Sequence, residues 1–265
     1  MEQHVPHSHR FWLYGLTALT LLFLIAPTFI VVPMSFSSSR SLIFPPPGWS
    51  LQWYENFFTR PQWQDATFVS LRVSFLTMLC ATPIGVAAAY GLHVGRFRLN
   101  GTIYGALISP LMVPVILISI GLYFVYAQLG MVNTTLGLVL ADTMIAVPFV
   151  LVTVSAGLKT YDMNQEMVAR SLGAHRLWAF LTVTLPQIRY SVISGALLAF
   201  IVAFDEVIIA MLISGGEGAT LTKRMFSSLR DEVDPTIAAI STLLLILTTV
   251  PPLILHYLAN RKKTP

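Results

Sequence analysis

About six stretches of this chain run apolar and nearly uncharged: residues 11–36, 66–92, 103–128, 136–158, 190–214 and 235–258. Each is long enough for a helix of about 20 residues to cross the hydrocarbon core of a bilayer. That recurrence constrains the fold more than anything else in the sequence. The chain reads as all-α, a polytopic membrane protein of about six transmembrane helices. Composition agrees: 55% of the 265 residues are hydrophobic and 11% are charged, where soluble domains carry about 25% charged residues. The first run is too long for a signal peptide and no small-residue cleavage site follows it, so it is expected as an uncleaved span.

Orientation follows from the basic residues. One set of loops carries Arg10, Arg96, Arg98, Lys159, Arg170, Arg176, Arg189, Arg261, Lys262 and Lys263; the other carries Arg40, Arg60, Lys223, Arg224 and Arg230. The richer set is expected in the cytoplasm, which puts both termini inside. The net charge of +4 is then that of a membrane protein's inner loops, and no nucleic-acid partner is expected. Cys80, the single cysteine, sits in an apolar run and is read as a small buried hydrophobe. Pro27, Pro83, Pro110, Pro114 and Pro148 fall within spans and are expected to kink them.

The domain reading is an N-terminal span with an outer loop (1–65), a core of five spans (66–258) and a short basic cytoplasmic tail (259–265). In the outer loop, Pro45–Pro47 precedes Trp49, Trp53, Tyr54, Phe57 and Phe58. Those aromatics suit a short helix at the membrane interface, with a docking surface for a partner as the other reading.

Between the fourth and fifth runs lies a polar interruption, QEMVARSLGAHRLWAFLTVTLPQI. Asp162 is placed to cap a helix, with Gln165 three residues on as in a capping box. Glu166 and Arg170 are expected as an i,i+4 pair, and Met163 and Met167 as adaptable contact residues. Gly173 breaks the helix. Trp178, Phe180 and Leu181 start a second amphipathic helix that Pro186 is expected to end. A hairpin of this kind outside the bilayer either meets a partner or folds back on its own membrane domain.

The hairpin, 162–186, resembles the EAA loop of type I ABC importer permeases: Glu-Ala-Ala, a glycine, then an apolar residue, a spacer and Leu-Pro. The matching residues are Ala169, Gly173, Val183, Leu185 and Pro186. Met167 and Val168 stand where the pattern has Glu and the first Ala, and Glu166 falls one residue early. FPPPGWSLQWYENFF, GLVLADTMIAVPFVLVTVSAGL and AFDEVIIAMLISG with DPTIAAISTLLL are similar to parts of the second permease of spermidine/putrescine importers, so the resemblance extends over nearly the whole chain. It implies the type I importer permease fold and a coupling helix that docks on a cytoplasmic ATPase through Glu166, Met167, Ala169, Arg170, Gly173, Leu185 and Pro186. It also implies two ATPase subunits, a second homologous permease and a periplasmic solute-binding protein, in a bacterial inner membrane whose lipid is a further partner. The sequence has no GxxxxGK[ST] phosphate loop, so ATP and magnesium are expected on the ATPase and no cofactor on this chain.

Charges within spans are expensive and face the interior or a wet cavity. The candidates here are Arg72, Asp142, Asp205 and Glu206. Asp205 and Glu206 would lie about 100° apart on one helix, one toward the pathway and the other toward a partner such as Arg72, or both paired structurally. Asp142 is expected near the outer end of its span. Adjacent acids on one helix do not make a protease dyad, and His93, His175 and His256 are too scattered for a metal site. The reading is therefore a transport subunit, not an enzyme, with Asp205, Glu206 and Asp142 along the substrate pathway. The resemblance favours a polyamine solute such as putrescine or spermidine; an ω-amino acid, opine-like or phosphonate solute stays open. The reading from a different class is an ion-coupled secondary transporter, which would leave the hairpin unexplained.

Overall fold

The computed structural model describes residues 11–95, 98–231 and 233–261, the side chains of Glu217 and of 251–261 excepted. Arg10, Arg96, Lys262 and Lys263, counted in the charge reading, lie outside the described residues, as does the tail beyond Arg261. In chain order the helices are α1 (Phe11–Ser35), α2 (Gln52–Thr59), α3 (Pro61–Val94), α4 (Asn100–Ile108), α5 (Val115–Leu129), α6 (Thr135–Thr160), α7 (Asn164–Ser171), α8 (Arg176–Ala179), α9 (Leu185–Gln187), α10 (Arg189–Asp205), α11 (Ile208–Ile213), α12 (Leu221–Asp231) and α13 (Thr236–Arg261). A 3-10 turn at Ser109–Leu111 follows α4, and a π-helical turn at Phe180–Thr184 joins α8 to α9.

Contacts divide the chain into two units, Asp65–Phe226 and the pair of segments Met1–Gln64 and Ser227–Pro265. The sequence reading had grouped 66–258 as one core. In the structure the last helix packs instead with the N-terminal segment, along α1 and α2. The Asn56 amide of α2 donates to Thr236 Oγ1 at the start of α13 (2.6 Å), and Asp234 accepts from the Thr236 backbone N–H (2.9 Å), which caps that helix. The aromatic segment does form a short helix. Tyr54 OH shares a hydrogen bond with Ser35 Oγ at the end of α1 (2.7 Å), and the Trp53 indole donates to the Ser37 carbonyl (2.7 Å). Phe58 on this helix and Trp49 before it remain largely exposed. Along α1 only Ser35 is buried. A helix so apolar and so uncovered is suited to lipid, whose tails solvate the faces that α13 leaves open.

In the other unit α6 is central. Its buried residues include Leu138, Ala141, Ile145, Val150, Leu151, Val154 and Leu158, and through residues 137–151 they fall on nearly every side of the helix, as in a helix enclosed by its neighbours. One cluster joins Ala81, Val86 and Ala89 of α3 with Val150, Leu151, Val154 and Leu158 of α6, Ile188, and Ala199 of α10. A second joins Val73 of α3, Tyr126 of α5, Leu138 and Ile145 of α6, and Ile209 and Ile213 of α11. Small residues set the spacing. A Cβ placed on Gly85 would lie 2.6 Å from Val150 Cβ, and one on Gly157 would lie 2.7 Å from Ser191 Cβ. Without a hydrophobic force between helices in lipid, such close backbone approach supplies the packing energy.

Two expected spans are broken. Residues 103–128 were read as one helix, but α4 with its 3-10 turn meets α5 at 91°. Pro110 lies in the turn and Pro114 caps α5, and neither can donate the hydrogen bond that would continue a straight helix. Residues 190–214 were also read as one helix; α10 instead ends at Asp205, and α11 starts anew at Ile208. Pro27, Pro83 and Pro148 lie inside unbroken helices.

The packing yields a test. Gly157→Leu should force α6 and α10 apart and cost about 1–3 kcal/mol, the usual price of overpacking. Gly121→Ala, where nothing lies within 4 Å, should leave stability unchanged. Thermal melting of the two detergent-solubilised variants checks both, and an unchanged melting point for Gly157→Leu would contradict the packing.

Candidate functional site

The hairpin grows from the end of α6. The extended backbone of Tyr161 stops that helix. Asp162 turns the chain by accepting the Asn164 N–H on its own carboxylate (3.0 Å). This is an Asx turn, not the capping box expected with Gln165. After α7 the chain reverses through a Schellman motif: Ala174 N–H donates to the Ala169 carbonyl (3.2 Å) and Gly173 N–H to the Arg170 carbonyl (3.0 Å). Gly173 has φ +98°, a left-handed conformation that favours glycine. His175 then caps α8 by accepting the Trp178 N–H on Nδ1 (3.3 Å). Pro186 does not end the second helix as expected. The wider π-helical turn just before it precedes the proline, and the helix runs on to Gln187 before an 82° bend into α10. Such turns re-accommodate a backbone that proline would otherwise clash with.

The expected hairpin residues separate into two groups. Met167, Arg170, Gly173 and Pro186 are exposed, while Ala169 and Leu185 are half-buried. Val168, Leu172, Leu177 and Trp178 add exposed apolar surface. Glu166 lies apart from these, only 1% exposed. One residue along a helix turns the side chain by about 100°, and Glu166 accordingly points inward where Met167 points out. The expected Glu166–Arg170 ion pair is absent. The Glu166 carboxylate instead accepts hydroxyl hydrogen bonds from Tyr90 of α3 and from Thr184, each 2.5 Å long. Neither partner stands out in the sequence, since Tyr90 sits in an apolar run and Thr184 in a threonine-rich turn. A mostly apolar cavity of about 610 Å³ adjoins this site, lined in part by Pro83, Val86, Tyr90, Leu177 and Phe180.

The intramembrane acids do three different things. Glu206 is not on a helix with Asp205; its backbone is extended. Its Oε1 accepts the N–H groups of Ile208 (2.7 Å) and Ile209 (3.0 Å), a carboxylate cap on α11. The far end of α11 is held by Lys223, whose ammonium donates to the carbonyls of Met211 (3.2 Å) and Ser214. Asp205 ends α10 with its side chain exposed. Asp142 is 4% exposed, and its Oδ1 has no hydrogen-bond partner; Tyr126 and Glu206 lie within electrostatic reach of it. Asp142 lies in the first third of α6, toward the span end where it was expected, but buried there and not solvated at an interface. Arg72 is exposed and pairs with neither acid; among the described residues the ion pair present is Arg230–Asp231. Among the same residues, no three His, Cys, Asp or Glu side chains gather as metal ligands would.

Removing the cap tests this assignment. Glu206→Ala should lower the stability of the solubilised protein by about 1 kcal/mol, the usual loss of an N-cap. Glu206→Gln, which keeps an accepting oxygen, should lose less. Equal melting points for all three proteins would show that the carboxylate does not cap α11.

A family model for the binding-protein-dependent transport system inner membrane component matches residues 81–264. The putrescine transport system permease protein PotI of Escherichia coli is 32% identical over 265 residues, covering 97% of this chain and 94% of the relative. The spermidine/putrescine transport system permease protein PotC of Haemophilus influenzae is 29% identical over 241 residues, covering 91% and 93%. Among solved structures, a chain of a bacterial ABC transporter involved in the import of the acidic polysaccharide alginate superposes with a TM-score of 0.73, both chains covered in full, at 14% identity. At that identity the likeness speaks for the fold alone. These matches set aside the ion-coupled secondary transporter. The chain belongs to the binding-protein-dependent transport system inner membrane components: it is a permease subunit of an ABC importer, a transport component and not an enzyme.

Proposed function

We propose that this permease carries a polyamine, a flexible cation of the putrescine or spermidine kind, inward across the bacterial inner membrane by alternating access. The observation that carries the reading is the similarity, over almost the whole chain, to permeases named for putrescine and for spermidine/putrescine. The exposed carboxylate of Asp205, at the break between α10 and α11, supports it. A bare amine faces a cost of several kcal/mol in the membrane. A carboxylate about 4 Å away returns about 1 kcal/mol in a watery cavity and more in a drier one. That is enough to guide a cation without trapping it. Glu206 and Asp142 serve the pathway less directly, the first by fixing α11 and the second from a buried position behind it.

In the same reading the hairpin faces the cytoplasm and docks on an ATPase subunit. Its exposed Met167, Val168, Leu172, Leu177 and Trp178, with Arg170 and Arg176 among them, form the mixed apolar and basic surface such a contact needs. A second permease completes the pathway, two ATPases bind ATP with magnesium, and an external binding protein delivers the solute. This chain holds no cofactor of its own. Both termini lie in the cytoplasm by the charge asymmetry.

Two measurements test the reading. Thermal-shift screening of the partner binding protein should single out putrescine or spermidine, and uptake of that amine should fall about fivefold in Asp205→Asn, the loss of about 1 kcal/mol of attraction. A binding protein that responds to an ω-amino acid and not to amines would replace the polyamine. For topology, single cysteines at Ser41 and Ser171 in a Cys80→Ser background should react with an impermeant maleimide in intact cells at Ser41 only. The reverse pattern would invert the orientation.

A further inference from the structure

Glu166 is the most deeply buried carboxylate among the described residues, 1% exposed. Burial is costly for a carboxylate unless its oxygens are hydrogen-bonded, and here each oxygen has its own donor. Tyr90 OH donates to Oε1 and Thr184 Oγ1 to Oε2, both at 2.5 Å. The chain of contacts extends on both sides. Arg176 Nε points at Tyr90 OH (3.4 Å) and its guanidinium lies 5.6 Å from the Tyr90 ring centroid. Phe180 packs on that ring with centroids 4.5 Å apart. Tyr161 OH lies 3.4 Å from Thr184 Oγ1, a second and longer acceptor for the hydroxyl that donates to the carboxylate.

The placement of these groups matters more than their number. The hairpin is covalently joined to the membrane helices at two points, the extended residue Tyr161 after α6 and the 82° bend at Ile188 before α10. At both the helical backbone is interrupted, with Ile188 buried in the cluster around α6 and Tyr161 half-buried against it. Helix α3 has no covalent link to the hairpin at all. Glu166 on α7, Tyr90 on α3 and Thr184 on the π-helical turn tie all three together, in a half-buried setting where hydrogen bonds reinforce one another.

We propose that Glu166 is a positioning residue: it latches the hairpin to α3, so that a push on the hairpin moves α3 together with α6 and α10 and is not absorbed by bending at Tyr161 and Ile188. This rests on the reading that the hairpin docks on the ATPase. It also differs from that reading in one respect, because a carboxylate this deep cannot itself touch a partner subunit. The outward face of α7 offers Met167 at the place of the resembling pattern's glutamate.

The test uses the whole importer, purified with its ATPase and binding protein and reconstituted in liposomes, with radiolabelled putrescine as the probe. Glu166→Ala should lower putrescine moved per ATP hydrolysed about tenfold, the effect of losing hydrogen bonds to a charged group, while the ATPase still co-purifies. Tyr90→Phe should lower it less, and the double variant should be no worse than Glu166→Ala, because the two share one bond. Adding Met167→Glu should not rescue Glu166→Ala; rescue would mean that the carboxylate acts on the ATPase, and the latch would be wrong. Amide exchange supplies a readout independent of the solute. Residues 164–187 should exchange about tenfold faster in Glu166→Ala, with the middle of α6 unchanged. Wild-type exchange there in both Glu166→Ala and Tyr90→Phe would overturn the latch. If the wild-type importer keeps its ATPase but does not move putrescine, the polyamine reading falls, and exchange and co-purification still judge the latch. Loss of the ATPase from wild-type preparations would sink the docking reading, and the latch's coupling role with it.

Discussion

A helix that breaks off in apolar surroundings frees backbone N–H and C=O groups that must find partners within the protein. This chain breaks its helices repeatedly, and at several of the breaks polar side chains stand ready. Glu206 takes two N–H groups at the start of α11 and Lys223 takes two carbonyls near its end. Thr222 Oγ1 donates to the Glu206 carbonyl (3.1 Å). At the close of α3 the Asn100 amide donates to the carbonyls of Leu92 and Gly95 (3.1 and 2.8 Å). The cost of these interruptions is met locally, and so a short helix such as α11 can sit beside the long, unbroken α6.

That central helix is what lets the rest be irregular. Gly85 of α3 and Gly195 of α10 bring their backbones close to that of α6, where an added Cβ would lie 3.2 Å from Leu151 N and 3.3 Å from Val150 Cα. The three helices therefore behave as one packed body whose spacing is set by backbone contact. A hairpin anchored to that body at α3 as well as at its own two ends would inherit the same rigidity. A hairpin held only by Tyr161 and Ile188 would not.

The acids illustrate how little residue type says about role in such a setting. Asp205 and Glu206 are neighbours in sequence, yet the first is exposed at a helix end and the second is committed to a helix cap. Glu166 is buried and bonded to two hydroxyls; Asp142 is buried with one oxygen unmatched. A carboxylate adopts whichever of these states its surroundings make least costly, and those surroundings come from elements far away in the chain.

The sequence by itself determined that helices cross a membrane, because apolar length is a local property and the bilayer imposes it directly. It also determined the turn at Gly173, because a left-handed residue after a helix calls for glycine wherever it occurs. The short aromatic helix was legible for the same local reason. Residues 103–128 and 190–214 read as straight spans, because hydropathy measures how apolar a segment is and carries no information on its direction. Only the tertiary structure decided that Glu166 turns away from Arg170 toward Tyr90, 76 residues earlier in the chain. It decided likewise that Glu206 caps α11 and that Asp142 is buried. Such pairings depend on which helices meet, and helices meet where small residues let their backbones approach, a match between distant segments that no single segment spells out.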